Sequence, residues 1–457
     1  MSFASQRFHL VGIAGAGMSG LARLLAGGGN QVSGSDAVDG ATCAELRRLG
    51  VEVWTGCQPQ RIAGADGYVI RSAAVPNADA EVLECVRRGF TSLLYAEAVG
   101  RLSEGRRTLA IAGTHGKTTT TSLTVAALRA AGLDPSHLIG GDVPQFGGNG
   151  HGGQGPEFVV EACEFNRSFH NLRPFGAAIL NVDRDHFDCY PSTEELVDAF
   201  AGYLGRIRPD GTALVEESVP RGVLSSLRGD VRILTVGAGL WADIRAIDVR
   251  EHGGRWSFTP VVRAQRLPRV QLSLPGRHNM HNALFALGLA HVAGADLPRA
   301  CAGLAAFEGV RRRFEVHAGP NGGVLVNDYA HHPVEINAVL ETARRRFPGR
   351  RLLVAFQPHQ HQRTLVLLPQ FADVLARAEQ SLVADIYGAR ESTEMKARIC
   401  AGDLVRAIRA RGGRSEAAGS VEQLPARVAE LRGNDDVVLM LGAGDVDKAM
   451  EAILANL

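Results

Sequence analysis

The stretch AIAGTHGKTTTT, residues 110–121, decides how this 457-residue chain is read. A short apolar run ends in Gly113-Thr114-His115-Gly116, and Lys117 with its following threonines opens a helical pattern. Strand, glycine loop and helix start, in that order, make a phosphate cradle. Loop N–H groups point at anionic oxygens, and the helix dipole adds to the attraction. Lys117 would place a compact charge on the β- and γ-phosphates of ATP, and the Thr118 hydroxyl would reach a magnesium ion. The match to GxxxxGK[ST] is incomplete, because Ile111 stands at the first glycine position. The lysine carries the signal. Lys117, Lys396 and Lys448 are the only lysines in a chain with 49 Lys and Arg residues, so an ammonium in this loop is a selective choice.

Around that stretch the chain divides into three α/β blocks. Residues 1–105 alternate β-rich runs (FHLVGIAG, QVSGSD, GYVIRSAAV) with helical patterns such as MSGLARLLAGGG, the rhythm of a parallel sheet. RLSEGRR reads as a linker. A second block, 106–316, holds the strand candidates EFVVEA and GAAILNV and the amphipathic run NMHNALFALGLAHVAG. A third, 317–457, carries RLLVAF, QSLVADIY and DVVLMLGAG between helical segments. With 45% hydrophobic and 21% charged residues the composition is globular, and a formal charge of +1 gives no reason to expect nucleic acid. No apolar run approaches the roughly 20 residues that span a bilayer, and the N-terminus does not read as a signal peptide. The seven cysteines lack CxxC spacing, which disfavours a zinc site or a disulfide framework. A cytoplasmic protein without membrane or nucleic-acid partners is expected.

Two further stretches carry chemistry. VGIAGAGMSGLARLL contains GxGxxG at Gly15, Gly17 and Gly20, with Asp36 about 20 residues further on, the pattern of a dinucleotide-binding turn. A nicotinamide cofactor and a UDP-linked ligand both fit it, since the chemistry needs only glycines that let a diphosphate approach a helix. FVVEACEFNRSF and ILNVDRDHFDCY each end an apolar strand in polar groups, where open α/β sheets bind ligands. Glu161 and His186 could join Thr118 around magnesium, while Asp185, His186 and Asp188 also suit helix capping.

GTHGKTTTT, NVDRDHFDCY, LPGRHNMHNAL, GVRRRFE, NDYAHHPVEI, FQPHQHQRT and LGAGD occur in that order, and together they resemble the Mur ligases, ATP-dependent amide-forming enzymes of peptidoglycan synthesis. HLVGIAGAGMSGLA, DYAHHP and FQPH are most similar to the alanine-adding branch. The resemblance covers essentially the whole chain. It implies an N-terminal Rossmann-like UDP-sugar domain, a central P-loop ATPase domain and a C-terminal Rossmann-like domain. It implies ATP and Mg2+, with UDP-N-acetylmuramate and L-alanine as substrates, in a monomer or weak homodimer.

By the same resemblance, Gly113, Thr114, His115, Gly116, Lys117, Thr118 and Thr119 bind ATP together with His278, Asn279 and Asn282. Thr118, Glu161 and His186 hold the metal, and Arg313 and Asp328 join Lys117 as catalytic groups once the domains close. Gly15, Ala16, Gly17, Met18, Ser19, Asp36 and Ser72 bind the UDP-sugar. His331, His332, His359 and Arg363 form the amino-acid pocket, one histidine assisting amine deprotonation. The chain departs from the family pattern at Cys163, where an acid is usual, and at Gln360 and His361, where an arginine is lost. It has no lysine between Lys117 and Lys396 for the carbamylated position of sister ligases. Two other activities remain open on these residues: a recycling ligase that adds an intact tripeptide to the same UDP-sugar, and a nicotinamide-dependent oxidoreductase.

Overall fold

The structure is a computed structural model and describes residues 5–319, 322–388 and 391–457. Its first sheet is fully parallel, with strands β1 (Arg7–Val11), β2 (Gln31–Asp36), β3 (Glu52–Thr55), β4 (Gly67–Arg71) and β5 (Phe90–Leu94) in the order β3-β2-β1-β4-β5. The order reverses between β1 and β4, which opens a crevice beyond their carboxyl ends. The glycine turn after β1 leads into the helix Ala16–Gly27. A Cβ on Gly20 would lie 3.2 Å from the Asn149 side chain, so this glycine lets the helix dock on the central block. The expected linker RLSEGRR is not one. Arg101 to Ser103 finish the helix Tyr95–Ser103, and Arg107 already begins the next strand, so the first two blocks join almost directly.

The second sheet is larger than the sequence patterns suggest. Its parallel part comprises β6 (Arg107–Ala112), β7 (Ser136–Leu138), β9 (Glu157–Glu161), β10 (Gly176–Ile179), β11 (Thr212–Glu216) and β12 (Arg232–Val236), with the short β8 (Gly150–His151) antiparallel on β7. Beyond β12 come β13 (Ile244–His252), β14 (Arg255–Val262), β15 (Gln265–Arg266) and β16 (Val270–Pro275), linked through β14 by antiparallel pairing. In the centre β6 lies between β9 and β10, so the loop after β6 is flanked by the ends of both neighbours. The helix Lys117–Ala130 follows that loop. Its β-branched threonines are buried, and Thr121, Ser122 and Thr124 donate their hydroxyl hydrogens to carbonyls one turn back at 2.8–2.9 Å, which satisfies them inside the core.

The third sheet contains β17 (Glu315–Ala318), β18 (Val324–Asp328), β19 (Leu352–Phe356), β20 (Gln380–Ala384), β21 (Ser415–Gly419) and β22 (Val437–Leu441) in the order β17-β18-β22-β19-β20-β21, parallel except for β17. β17 starts at Glu315, so a division after residue 316 would cut it. β19 and β22 are buried on both faces, with alternate residues in two separate apolar clusters, which is why they read as unbroken hydrophobic runs. Among the described residues no helix is long and apolar enough to cross a membrane.

Candidate active site

In each sheet the polar segments follow the carboxyl ends of strands. Around the phosphate loop, His115 N–H donates to Asn181 Oδ1 at 2.8 Å, and the Thr114 hydroxyl donates to the Asp183 carbonyl at 3.0 Å. Asn181 and Asp183 follow β10 and brace the loop from one side. Gly116 adopts φ +83°, and a Cβ there would sit 2.8 Å from Asn282 Oδ1, so only glycine lets the loop close on the helix Arg277–Ala293. Asn282 in turn donates to Asn279 Oδ1 at 3.0 Å, and Asn279 to the Pro275 carbonyl at 2.7 Å.

A cavity of about 330 Å³ opens over this face. His115, Gly116 and Thr119 line it from the loop and the helix start, His278, Asn279 and Asn282 from the helix Arg277–Ala293, Arg313 from the segment leading into β17, and Asp328 from the end of β18. Residues far apart in sequence thus converge on one space. Asp328 accepts N–H groups from Phe314 and Ala330, both at 2.7 Å, and burial pushes its carboxyl up to about 6. It therefore anchors the segment carrying Arg313 as well as facing the cavity. His278 keeps an exposed edge, and desolvation by the cavity wall with the Arg313 charge lowers its ring below the usual histidine value.

The other side of the loop faces β9. Lys117 Nζ donates to the carbonyls of Gly113 at 2.5 Å and Thr114 at 3.1 Å, and it meets Glu164 at 2.9–3.0 Å through both carboxylate oxygens. Burial works against the charge on each partner. Their mutual attraction wins, raising the lysine and lowering the glutamate. Thr118 Oγ1 lies 3.3 Å from Glu161 Oε2. Burial pushes the Glu161 carboxyl above the ordinary range, although the Gly140 N–H and the Lys117 and Arg313 charges work against it. His186 was expected to join Thr118 and Glu161. Its Nε2 instead pairs with Glu164 Oε1 at 3.5 Å, because the chain at His186 takes a left-handed turn, φ +50°, that aims the ring at the second acid of EACE. Among the described residues no three His, Cys, Asp or Glu side chains form a metal-holding group.

A second cavity, about 980 Å³, fills the crevice of the first sheet and reaches the central block. Gly15, Ala16, Gly17, Met18, Asp36 and Ser72 line it, faced by Cys163, Phe165, Asn166 and Ser168. Ser19 does not. It is 4% exposed, donates to the Ala16 carbonyl at 3.1 Å and accepts from Asn149, because it falls on the helix face turned to the core. Asp36 lines the cavity while accepting Ala14 N–H at 2.9 Å, and so shapes the glycine turn.

The four residues expected around the amino acid separate into two places. Arg363, 3% exposed, donates through Nε to Asp185 at 2.8 Å and through Nη1 to His359 Nδ1 at 3.1 Å and the His359 carbonyl at 3.0 Å. The His331 and His359 rings are 6.0 Å apart. Burial drives His331 down to about 4 and His359 to about 3, so both are neutral at pH 7. His332 instead turns to the phosphate loop, its ring 4.7 Å from that of His115, because it caps the helix Pro333–Arg346. From that helix Glu335 meets His115 Nδ1 at 2.9 Å.

Three family models lie end to end along the chain: Mur ligase family catalytic domain over residues 7–107, Mur ligase middle domain over 111–290, and Mur ligase glutamate ligase domain over 312–444. A UDP-N-acetylmuramate–L-alanine ligase of Salinibacter ruber is 36% identical, across 98% of this chain and 94% of the relative. The chain belongs to the Mur ligase family. Among solved structures, a UDP-N-acetylmuramate-alanine ligase from Thermotoga maritima is similar with a TM-score of 0.79 and 25% identity, over 98% of each chain. A murein peptide ligase from Psychrobacter arcticus shares the fold, with a TM-score of 0.74, 23% identity and 99% of each chain covered.

Sequence reasoning passed over four residues that hold this Mur ligase site together. Glu164 lies three residues after Glu161 in EACE, and only tertiary structure shows that it, and not Glu161, meets Lys117. Asn181, in ILNVDRDH, was legible as a polar group ending a strand. Asp185 was read as a capping residue and proves to be the partner of Arg363 across the domain boundary. Glu335, in HHPVE, carries a capping-box signature that hides its contact with His115.

Proposed function

We propose that this Mur ligase joins L-alanine to the lactyl carboxylate of UDP-N-acetylmuramate at the expense of ATP, as a cytoplasmic step of peptidoglycan synthesis. The single observation that carries this reading is the cavity in which phosphate-loop residues meet Arg313, just before β17, and Asp328 of the third block. The N-terminal block would hold the UDP-sugar, with the diphosphate at the glycine turn. The central block would hold ATP, and the C-terminal block would bring alanine.

The donor set suits Mg2+. Thr118 and Glu161 are hard oxygen ligands, and their oxygens lie 3.3 Å apart. The ion would neutralise charge on the transferring phosphoryl group. His186 pairs instead with Glu164, three residues beyond Glu161.

The chemistry then follows from these residues. The lactyl carboxylate attacks the γ-phosphorus, ADP leaves, and an acyl phosphate forms while Lys117 balances the phosphate charge. The neutral amine of alanine attacks the carbonyl carbon, phosphate leaves, and a proton must be taken from nitrogen. His331 is the better placed of the two clustered histidines. Its Nδ1 faces the Tyr329 carbonyl at 3.0 Å and so carries the hydrogen, leaving Nε2 with its lone pair. The His359 Nδ1 lone pair is already taken by Arg363.

Phosphate release from ATP and UDP-N-acetylmuramate, measured against a panel of amino acids and the tripeptide, tests the proposal. Turnover with alanine and not with the tripeptide is expected. Tripeptide-dependent turnover would make it a recycling ligase, and saturable NADH binding would revive the oxidoreductase.

A further inference from the structure

Lys117 has no donor left for a nucleotide. Its three ammonium hydrogens are committed to the Gly113 and Thr114 carbonyls and to Glu164, which is 2% exposed and occupies the lysine as a phosphate oxygen would. For Lys117 to serve ATP, Glu164 must yield.

The segment that carries Glu164 is also a wall of the other cavity. Cys163, Phe165, Asn166 and Ser168 line the UDP-sugar crevice, while Glu164 between them faces the phosphate loop. The two sites are thus separated by the thickness of one chain. That chain is not relaxed backbone: Asn166 and Arg167 both sit in the left-handed region, at φ +50° and +52°, where a non-glycine residue is held only by its surroundings. The surroundings are specific. The Tyr190 hydroxyl donates to the Glu164 carbonyl at 2.5 Å, Arg167 N–H to the same carbonyl at 2.8 Å, and Phe169 N–H to Cys163 at 2.9 Å. Phe165, on the crevice side, has its ring 5.3 Å from His186, and His186 Nε2 is 3.5 Å from the Glu164 carboxylate. Pressure on Phe165 therefore reaches Glu164 through one ring, and that ring offers the carboxylate a second partner when it leaves the lysine.

We propose that Glu164 couples the two substrate sites, a UDP-sugar seated against Phe165 and Asn166 shifting the Glu164 carboxylate toward His186 and releasing the Lys117 ammonium to ATP. The inference rests on the assignment of the two cavities made above. Coupling of this kind is reciprocal, so ATP on Lys117 favours the UDP-sugar by the same factor. It gives Glu164 the role of a positioning residue, and it makes the phosphate loop least receptive when no acceptor carboxylate is in place.

Calorimetric titration of the full chain with the magnesium complex of a non-hydrolysable ATP analogue, with and without saturating UDP-N-acetylmuramate, reads the coupling without turnover. The native protein is expected to bind the analogue about tenfold tighter when the UDP-sugar is present. In Glu164→Gln, which cannot quench the lysine, the analogue should bind the free enzyme tightly and the ratio should fall to about twofold or less. A Glu164→Gln variant that keeps the native ratio, or a native ratio of one, overturns the proposal. Thermal melting establishes that the variant is folded. If it is not, Phe165→Ala decides: the ratio drops if Phe165 transmits the shift, and an unchanged ratio refutes it. Failure of the native protein to bind UDP-N-acetylmuramate at all would instead sink the assignment of the cavity.

Discussion

Arg363 and Asp185 form a buried ion pair between different domains, and its removal has a calculable consequence. Arg363 makes hydrogen bonds of 2.8, 3.1 and 3.0 Å to Asp185 and His359, and the two charged side chains are 3% and 7% exposed. Deleting one partner of such a pair typically costs roughly 3–5 kcal/mol, because the other charge is stranded. The central and C-terminal domains bury separate apolar clusters, so the cost falls on their closure and not on folding. Opening also hydrates Asp185 again, which caps the loss at that figure. At about 1.4 kcal/mol per factor of ten, the closed state loses up to roughly 10²–10⁴ in relative population. Arg363→Ala should therefore lower kcat/KM for alanine by roughly 100-fold or more, while binding of UDP-N-acetylmuramate to the first domain stays near native. A fluorescence distance between central and C-terminal domains measures closure directly. The double variant Asp185→Leu with Arg363→Met strands no charge, so it should close better than either single variant. Closure deficits that simply add in the double variant would refute the ion-pair argument.

Other perturbations test the loop and the core. Lys117→Arg should lose acyl-phosphate formation in single turnover to nearly the extent of Lys117→Ala, since the ammonium is held 2.5–3.1 Å from two loop carbonyls and a buried carboxylate and leaves no room for a planar guanidinium; a near-native rate would show that charge alone suffices. Gly116→Ala combines a left-handed backbone with a Cβ 2.8 Å from Asn282 Oδ1, so it should weaken ATP binding by about 1–3 kcal/mol, and unchanged affinity by titration would contradict the loop geometry. His137 is fully buried against Phe146 and His151 and is held down at about 3 by burial, with Arg129 adding to it. Its folded pKa lies below the unfolded value of 6.5, so the unfolded state takes up the proton first and stability is lost as pH falls from 6.5 toward 3. At pH 5 that amounts to about 2 kcal/mol, which His137→Leu should abolish; urea midpoints that fall equally in both proteins between pH 7.5 and 5 would refute it.

Much of this architecture is written locally. AIAGTHGKTTTT and VGIAGAGMSG announce strand, glycine turn and helix because each step needs particular residues at fixed spacing. The ends of β9, β10 and β19 were legible for the same reason: an apolar run stops and polar groups begin. The antiparallel strands β13 to β16 were not, since β13, IRAIDVREH, is mostly exposed and the group is held together by its pairing partners. Ser19 and His332 were misplaced for a related reason. Motif membership says that a residue lies near a ligand, whereas its face on a helix or its cap position decides which way it points. Glu164 and Asp185 lay inside quoted motifs, yet their partners are 47 and 178 residues away, which no spacing rule reaches.

The scarcity of lysine now has a structural account. A chain that uses arginine for nearly all its positive charge tolerates guanidinium where charge meets a surface or a fork of acceptors, as in Arg363 with Asp185 and His359. The phosphate loop poses a different demand. Three acceptors converge on one point beneath the loop, from Gly113, Thr114 and Glu164, and a tetrahedral ammonium meets all three with a single nitrogen. A guanidinium would spread its five N–H groups over a plane and could not aim them all at three acceptors gathered round one point. The same point charge can pass from a carboxylate to a phosphate by a small rotation of its stem, whereas a fork must break two bonds together. Lysine is kept here because the cation has to be both buried and transferable.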